Sequence, residues 1–134
     1  TLNGKTMGIY GIGTDIVKIE RIEKLWQEHG ISFAKKILTV DELLEFAQET
    51  RAQVGFLAKR FAAKEAVANA SGTGFRAAVL LKQIGIASNE LGKPSIVLYG
   101  STKDYVASLG NLDLHVSLAD EQEYVVAFVI ISKT

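Results

Sequence analysis

The sequence lacks several features that would place it in a specialised class. It contains no cysteine, which excludes disulfides and thiolate metal sites and fits a reducing cytoplasm. Its fifteen basic residues balance fifteen acidic ones, so net charge favours neither nucleic acid nor a membrane surface as a partner. No apolar run approaches the ~18 residues that span a bilayer, and there is no signal-peptide core. We therefore expect a cytoplasmic protein.

The residues that are present suffice for one hydrophobic core. The chain has 134 residues, of which 48% are hydrophobic, and shows no internal repeat or linker. Its single methionine is Met7. We assign one domain to residues 7–134 and treat residues 1–6 as a short extension, native or added.

Hydrophobic periodicity predicts both helices and strands. The strands are predicted at 7–17, 82–88, 95–100, 112–120 and 123–132. The helices are predicted from Ile19 to about Gly30, at 32–38, from the capping-box pair Thr39 and Glu42 to residue 48, at 51–71 and at 101–110. Helices and strands do not strictly alternate, which favours an α+β fold, with a largely antiparallel sheet packed against the long helix.

The longest predicted helix carries two different faces. At about 100° per residue, Arg60 and Lys64 share one stripe, and Glu65 and Asn69 share the next. An opposite arc holds alanines that allow close packing: Ala62, Ala63, Ala66 and Ala70. The charged side is either an ordinary solvated face or a binding face, and this spacing alone does not choose between them.

Three further positions each have both a structural and a functional interpretation. Asp15 follows two glycines in GIGTD and is either a helix N-cap or a metal ligand. Gly72, in Gly72-Thr73-Gly74, is either a helix C-cap or part of a loop that a ligand approaches. His115 shares a strand face with Ser117 and is either structural or functional.

The motifs GIGTDIVKIERI, FAKKILT, FLAKRFAAKEA, GTG, ELGKP and HVSLADE occur in this order along the chain. In order and rough spacing they resemble the bacterial holo-acyl-carrier-protein synthases, the small members of the 4′-phosphopantetheinyl transferase superfamily. The resemblance covers essentially the whole chain from Met7. It implies that superfamily's fold, with one lobe per chain.

The resemblance also implies a reaction. A 4′-phosphopantetheine group would pass from coenzyme A to a serine of an apo acyl carrier protein, in support of fatty acid biosynthesis, and adenosine 3′,5′-bisphosphate would leave. Asp15 and Glu65 match the two protein ligands of a catalytic Mg²⁺, and Lys64 is a further catalytic candidate. The matched coenzyme A-binding positions are Arg60, Lys64, Asn69, Gly72, Thr73, Gly74, Pro94 and His115.

The same resemblance predicts two protein interfaces. Small members of the superfamily form homotrimers with shared active sites, and we expect the alanine face of the long helix to lie at a subunit junction. The acyl carrier protein would dock on the first helix and the turn after it. The docking residues would be Arg21, Lys24, Phe33 and Lys36.

One position departs from the family pattern. Many members have lysine four residues after the metal-binding glutamate, where this chain has Asn69. A catalytically weak coenzyme A or carrier-protein binding module is therefore an alternative, and a Mg²⁺-dependent phosphohydrolase is a third interpretation. The general base is left open between Glu65 and a metal-bound water.

Overall fold

The computed structural model describes residues 7–72 and 79–134. Its helices are α1 (Ile19–His29), α2 (Ile31–Ile37), α3 (Val40–Gln48), α4 (Gln53–Ser71) and α5 (Gly100–Ser108), with a 3-10 turn at Leu81–Gln83. Its strands are β1 (Gly8–Lys18), β2 (Ile84–Ser88), β3 (Pro94–Leu98), β4 (Leu112–Asp120) and β5 (Tyr124–Lys133). These bounds agree with the predicted elements to within about two residues.

The strands form two antiparallel sheets. One has the order β1-β5-β4, and the other is the β2-β3 hairpin. Helix α4 lies across β1 and β5, and the core fills the space between them. The predicted α+β class, with an antiparallel sheet against a long helix, is confirmed. None of the helices within the described ranges is long and apolar enough to cross a membrane.

The alanine face of α4 is buried inside the chain, which corrects its expected place at a subunit junction. Ala62, Ala63 and Ala66 are fully buried. A Cβ on Gly13 would overlap the carbonyl oxygen of Ala66 and lie 2.6 Å from the backbone nitrogen of Ala70. Strand β1 and helix α4 therefore meet backbone to backbone, and the small residues on both sides are what allows it.

The opposite face of the three-stranded sheet is exposed and partly apolar. Ile12 and Ile16 of β1 are 54% and 62% exposed, and Phe128 of β5 is 40% exposed. The register places these side chains on the face away from α4, because Gly13 and Val17 point the other way and are buried. The chain therefore leaves a sheet face uncovered instead of the alanine face.

Candidate active site

Asp15 lies on β1 and faces the helix layer. Its neighbours along the strand, Thr14 and Ile16, are exposed on the other face. The N-cap of helix α1 is Lys18, without a side-chain hydrogen bond, so the alternative of Asp15 as the N-cap is excluded. The side chain is half-buried, and burial raises the pKa of Asp15 despite the backbone N–H of Ile16 and the charge of Arg21.

Glu65 of α4 lies within electrostatic reach of Asp15. Burial raises the pKa of Glu65, and the nearby Asp15 carboxylate raises it further, while Arg21 opposes both effects. Arg21 comes from α1, where its guanidinium also lies 5.9 Å from the centre of the Phe61 ring. Residues from β1, α1 and α4 thus bring two partly desolvated carboxylates and one cation together.

Asn69 joins the two elements that carry these carboxylates. It lies one helical turn after Glu65, and its Nδ2 donates to the backbone carbonyl of Thr14 at 3.2 Å. Thr14 directly precedes Asp15. Asn69 therefore helps to fix the position of Asp15 relative to Glu65. A lysine at position 69 would place a positive charge there instead of this amide hydrogen bond.

The Asp15–Glu65 pair fits a Mg²⁺ site. Mg²⁺ prefers hard oxygen ligands and is usually held by one or two carboxylates, with waters and substrate phosphate oxygens completing its shell. Because the Asp15 carboxylate raises the pKa of Glu65, a cation bound between the two carboxylates would be favoured. Within residues 7–72 and 79–134, no cluster of three or more metal-ligating side chains offers a richer site.

A second polar site brings Arg60 and Pro94 together. Both line a cavity of about 270 Å³, with Lys59, Ser88 and Asp120 among its other walls. Lys59 and Asp120 form an ion pair of 3.4 Å across it. Arg60 and Pro94, two of the coenzyme A-binding candidates, therefore share one surface. They are 34 positions apart in sequence.

Lys64 does not reach this cavity, contrary to the expected contact with substrate phosphate. Its side chain is fully buried. Its ammonium group donates to Glu42 Oε1 and to the carbonyl of Ile37, both at 2.5 Å, and to the carbonyl of Leu81 at 3.2 Å. Burial lowers the pKa of Lys64, and the Glu42 carboxylate opposes that shift. Lys64 thus has a structural role in this chain, because protein groups occupy its donors.

Gly72 ends α4 in the left-handed conformation, with φ of 85°, and its N–H donates to the Asn69 carbonyl. This is the C-cap alternative for that glycine. Thr73 and Gly74 lie outside the described residues.

His115 lies on the sheet face opposite to Asp15. It is exposed on β4, where its Nε2 lies 3.1 Å from Ser132 Oγ. His115 pairs with Ile130, which in turn pairs with the exposed Ile12. Within one chain, therefore, His115 does not converge with Asp15.

The four expected docking residues differ in exposure, because Arg21, Lys24 and Lys36 are exposed and Phe33 is buried. Arg21 and Lys24 line a depression of about 420 Å³ on α1, whereas Lys36 lines another of about 440 Å³ beside Leu80. Phe33 is 8% exposed and belongs to the core, which corrects its expected role in docking. The exposed apolar side chain in this segment is Ile31, at 52%.

Comparison with known proteins decides the family. The family model described as the 4′-phosphopantetheinyl transferase superfamily matches residues 11–129. The chain belongs to this superfamily. A holo-[acyl-carrier-protein] synthase of Neisseria meningitidis is 46% identical over 125 residues, which is 93% of this chain and 99% of that protein. Among the superfamily's enzymes, this chain therefore belongs with the holo-[acyl-carrier-protein] synthases.

Solved structures from this group share the superfamily fold with the chain. The holo-[acyl-carrier-protein] synthase of Neisseria meningitidis matches with a TM-score of 0.89 and 47% identity over 94% of this chain and all of that one. The holo-(acyl-carrier-protein) synthase of Bacillus anthracis, in complex with CoA (3′,5′-ADP), matches with a TM-score of 0.79. It is 31% identical, over 96% of this chain and 100% of that one.

Glu42 supports the Arg60 site from the protein interior, a role that sequence reasoning missed. The capping-box spacing identifies it at the start of α3, and both hydrogen bonds of that box are present. The spacing gives no sign that its carboxylate is buried and bound to a lysine 22 positions away. The sequence signal for this contact is a capping glutamate that precedes two basic residues on a later helix.

Proposed function

We propose that this enzyme transfers 4′-phosphopantetheine from coenzyme A to a serine of apo acyl carrier protein in the cytoplasm. The reaction depends on Mg²⁺, releases adenosine 3′,5′-bisphosphate and supports fatty acid biosynthesis. The observation that carries this proposal is the meeting of Asp15 and Glu65 across the close β1–α4 contact. The CoA complex of a relative that matches nearly full length supports the same substrate.

In this reaction the carrier serine hydroxyl attacks the phosphorus that bears the pantetheine arm. The bond from that phosphorus to the bridging oxygen breaks, and the bridging oxygen leaves with adenosine 3′,5′-bisphosphate. When bound, Mg²⁺ would neutralise charge on the pyrophosphate oxygens. Asp15 and Glu65 would hold it, and Arg60 would bind a coenzyme A phosphate at the cavity that Pro94 also lines. Glu65 is the candidate acceptor on this chain for the serine proton.

Intact mass measurement of a carrier protein tests the proposal. Apo carrier, coenzyme A, Mg²⁺ and enzyme are incubated together, with a matched reaction in excess chelator. We expect the carrier to gain one phosphopantetheine group with Mg²⁺ and to keep its mass with the chelator. A carrier that stays unmodified although the protein binds coenzyme A would favour the binding-module alternative.

We further propose that the enzyme is a homotrimer with shared active sites. The exposed sheet face supports this, because Ile12, Ile16 and Phe128 leave apolar area uncovered. The position of His115 on that face supports it as well, since a side chain that cannot serve its own Asp15 can serve a neighbour's site. The alanine face of α4 is not available for this role, because β1 packs against it at Gly13.

Phe128→Glu is expected to convert the trimer to monomers and to lower activity with it. A charge at the centre of an apolar interface is desolvated without a partner, which opposes association. Light scattering measures the mass. Leu91→Glu, at the 93% exposed tip of the β2-β3 hairpin, is the matched control and should keep the trimer. A wild-type enzyme that is monomeric and fully active would contradict the shared site.

Lys24→Glu is expected to raise the carrier KM while leaving the coenzyme A KM unchanged. Lys24 is exposed on α1, and acidic carriers would be steered to that surface, so reversing one charge should cost about 3- to 10-fold. Arg21 is less suitable for this test, because its charge also acts on Asp15 and Glu65. Lys103→Glu on α5 is the control. An equal rise in carrier KM for both variants would argue against docking on α1.

A further inference from the structure

The buried carboxylate of Glu42 joins separate parts of the fold. Its Oε1 accepts from the backbone N–H of Thr39 at 2.9 Å and from Lys64 Nζ at 2.5 Å. Its Oε2 accepts from the backbone N–H of Ile86 at 2.9 Å and lies 3.6 Å from Arg60 Nε. With only 2% of its surface exposed, Glu42 binds the start of α3, the middle of α4 and strand β2 at once.

Two of these partners form walls of the polar cavity that contains Pro94. Arg60 and Ile86 both line it, from α4 and from β2. Glu42 does not line the cavity itself. It contacts Arg60 and Ile86 from the protein interior and so fixes α4 and β2 relative to each other. Lys64 secures Glu42 from the other side through its contacts to Ile37 and Leu81.

The buried part of this cluster contains one carboxylate for two cations. Lys64 and Arg60 share the single buried carboxylate of Glu42, and Lys64 takes its short hydrogen bond. Arg60 has a longer ion pair there, an exposed partner in Glu45 at 3.5 Å, and a stacking contact 3.4 Å from the centre of the Phe56 ring. Among the described residues, Arg60 Nε is buried without a hydrogen-bond partner. Arg60 is therefore oriented at the cavity wall, with one ion pair that it shares with Lys64 and another that is exposed to solvent screening.

We propose that Glu42 is a positioning residue that sets the affinity for coenzyme A by holding Arg60 and the β2 wall in place. This inference rests on the proposed function, in which Arg60 binds a coenzyme A phosphate. An arginine already fixed by a carboxylate and an aromatic ring loses less freedom when an anion binds, so more of the interaction appears as affinity. Lys64 contributes indirectly, because its hydrogen bond fixes the Glu42 carboxylate.

The test measures coenzyme A binding by calorimetry and steady-state kinetics on Glu42→Gln. We expect the Kd and KM for coenzyme A to rise about tenfold, the scale of one lost charge-assisted interaction. The kcat at saturating coenzyme A and the carrier KM should change little, because Asp15 and Glu65 are untouched. The matched control is Glu45→Gln, which removes an exposed, solvent-screened partner of the same arginine and should change the Kd less than about twofold.

A second variant separates positioning from folding, because Glu42→Gln leaves the buried Lys64 without a carboxylate and Arg60 with only the exposed Glu45. Glu42→Gln combined with Lys64→Met removes one charge of each sign, which buried sites tolerate better than an unpaired charge. If Glu42 positions Arg60, coenzyme A binding stays weak in this variant even when its circular dichroism and thermal midpoint return to normal. A Kd that recovers to within about twofold of wild type when folding recovers would overturn the inference. Wild-type protein that binds no coenzyme A would overturn the proposed function itself.

Discussion

Asp15→Ala and Glu65→Ala are each expected to lower kcat by about 100-fold or more while the protein stays folded. Each carboxylate would hold the Mg²⁺ that offsets charge on the phosphate during transfer, so the loss falls on the transition state and therefore on kcat. The double variant should be little worse than either single one, because two ligands of one ion act as a unit. Mn²⁺ should replace Mg²⁺ in the wild type, since it accepts the same oxygen ligands.

Stability supplies an independent readout for the same variants. In the folded protein the pKa of both Asp15 and Glu65 is raised, so at neutral pH their ionisation disfavours the folded state. Removing either one should leave the thermal midpoint in metal-free buffer equal to or above that of the wild type. The matched control is Asp104→Ala, which removes an exposed carboxylate on α5 and should keep full activity. Wild-type kcat in either folded active-site variant would remove that residue from the site.

Gly13→Ala is expected to lower the free energy of unfolding by about 3 kcal/mol or more, or to prevent folding altogether. The added methyl group would overlap the carbonyl oxygen of Ala66 and approach the backbone nitrogen of Ala70, and neither backbone atom can move without shifting α4. Since β1 carries Asp15 and α4 carries Glu65, any variant that still folds should also lose activity.

Urea unfolding measures this prediction, with Gly55→Ala as the matched control. Gly55 lies in α4, where an added Cβ meets nothing within 4 Å. Alanine there should stabilise the protein by about 0.5–1 kcal/mol, because it reduces the freedom of the unfolded chain and favours helix. A Gly13→Ala variant as stable as the wild type would contradict the close β1–α4 contact.

Local patterns were enough to predict the secondary structure. The 3.6-residue period of α1, the capping box at Thr39 and Glu42, and the alternation along β4 each depend on neighbours in sequence. The position of His115 on the exposed face of β4 follows from the same alternation. The motifs that carry the resemblance supplied the rest of the fold.

Features that depend on distant partners could not be predicted in this way. The helical spacing of Arg60 and Lys64 gives their shared stripe, but which of them is buried depends on Glu42, far away in sequence. The alanine face of α4 indicates close packing, and sequence alone does not reveal that β1 of the same chain fills that space. Phe33 suits a docking surface or a core equally well until its neighbours are known.

The ratio of adenosine 3′,5′-bisphosphate released to carrier protein modified tests the central claim most directly. Both products are quantified in one reaction of wild-type enzyme with Mg²⁺, coenzyme A and apo carrier, by chromatography for the nucleotide and intact mass for the carrier. If this chain transfers the phosphopantetheine arm as a unit, one nucleotide appears for each carrier modified, and none appears when carrier is omitted. Nucleotide or phosphopantetheine released without carrier modification would mean that the Asp15–Glu65 site catalyses hydrolysis, and would contradict the account.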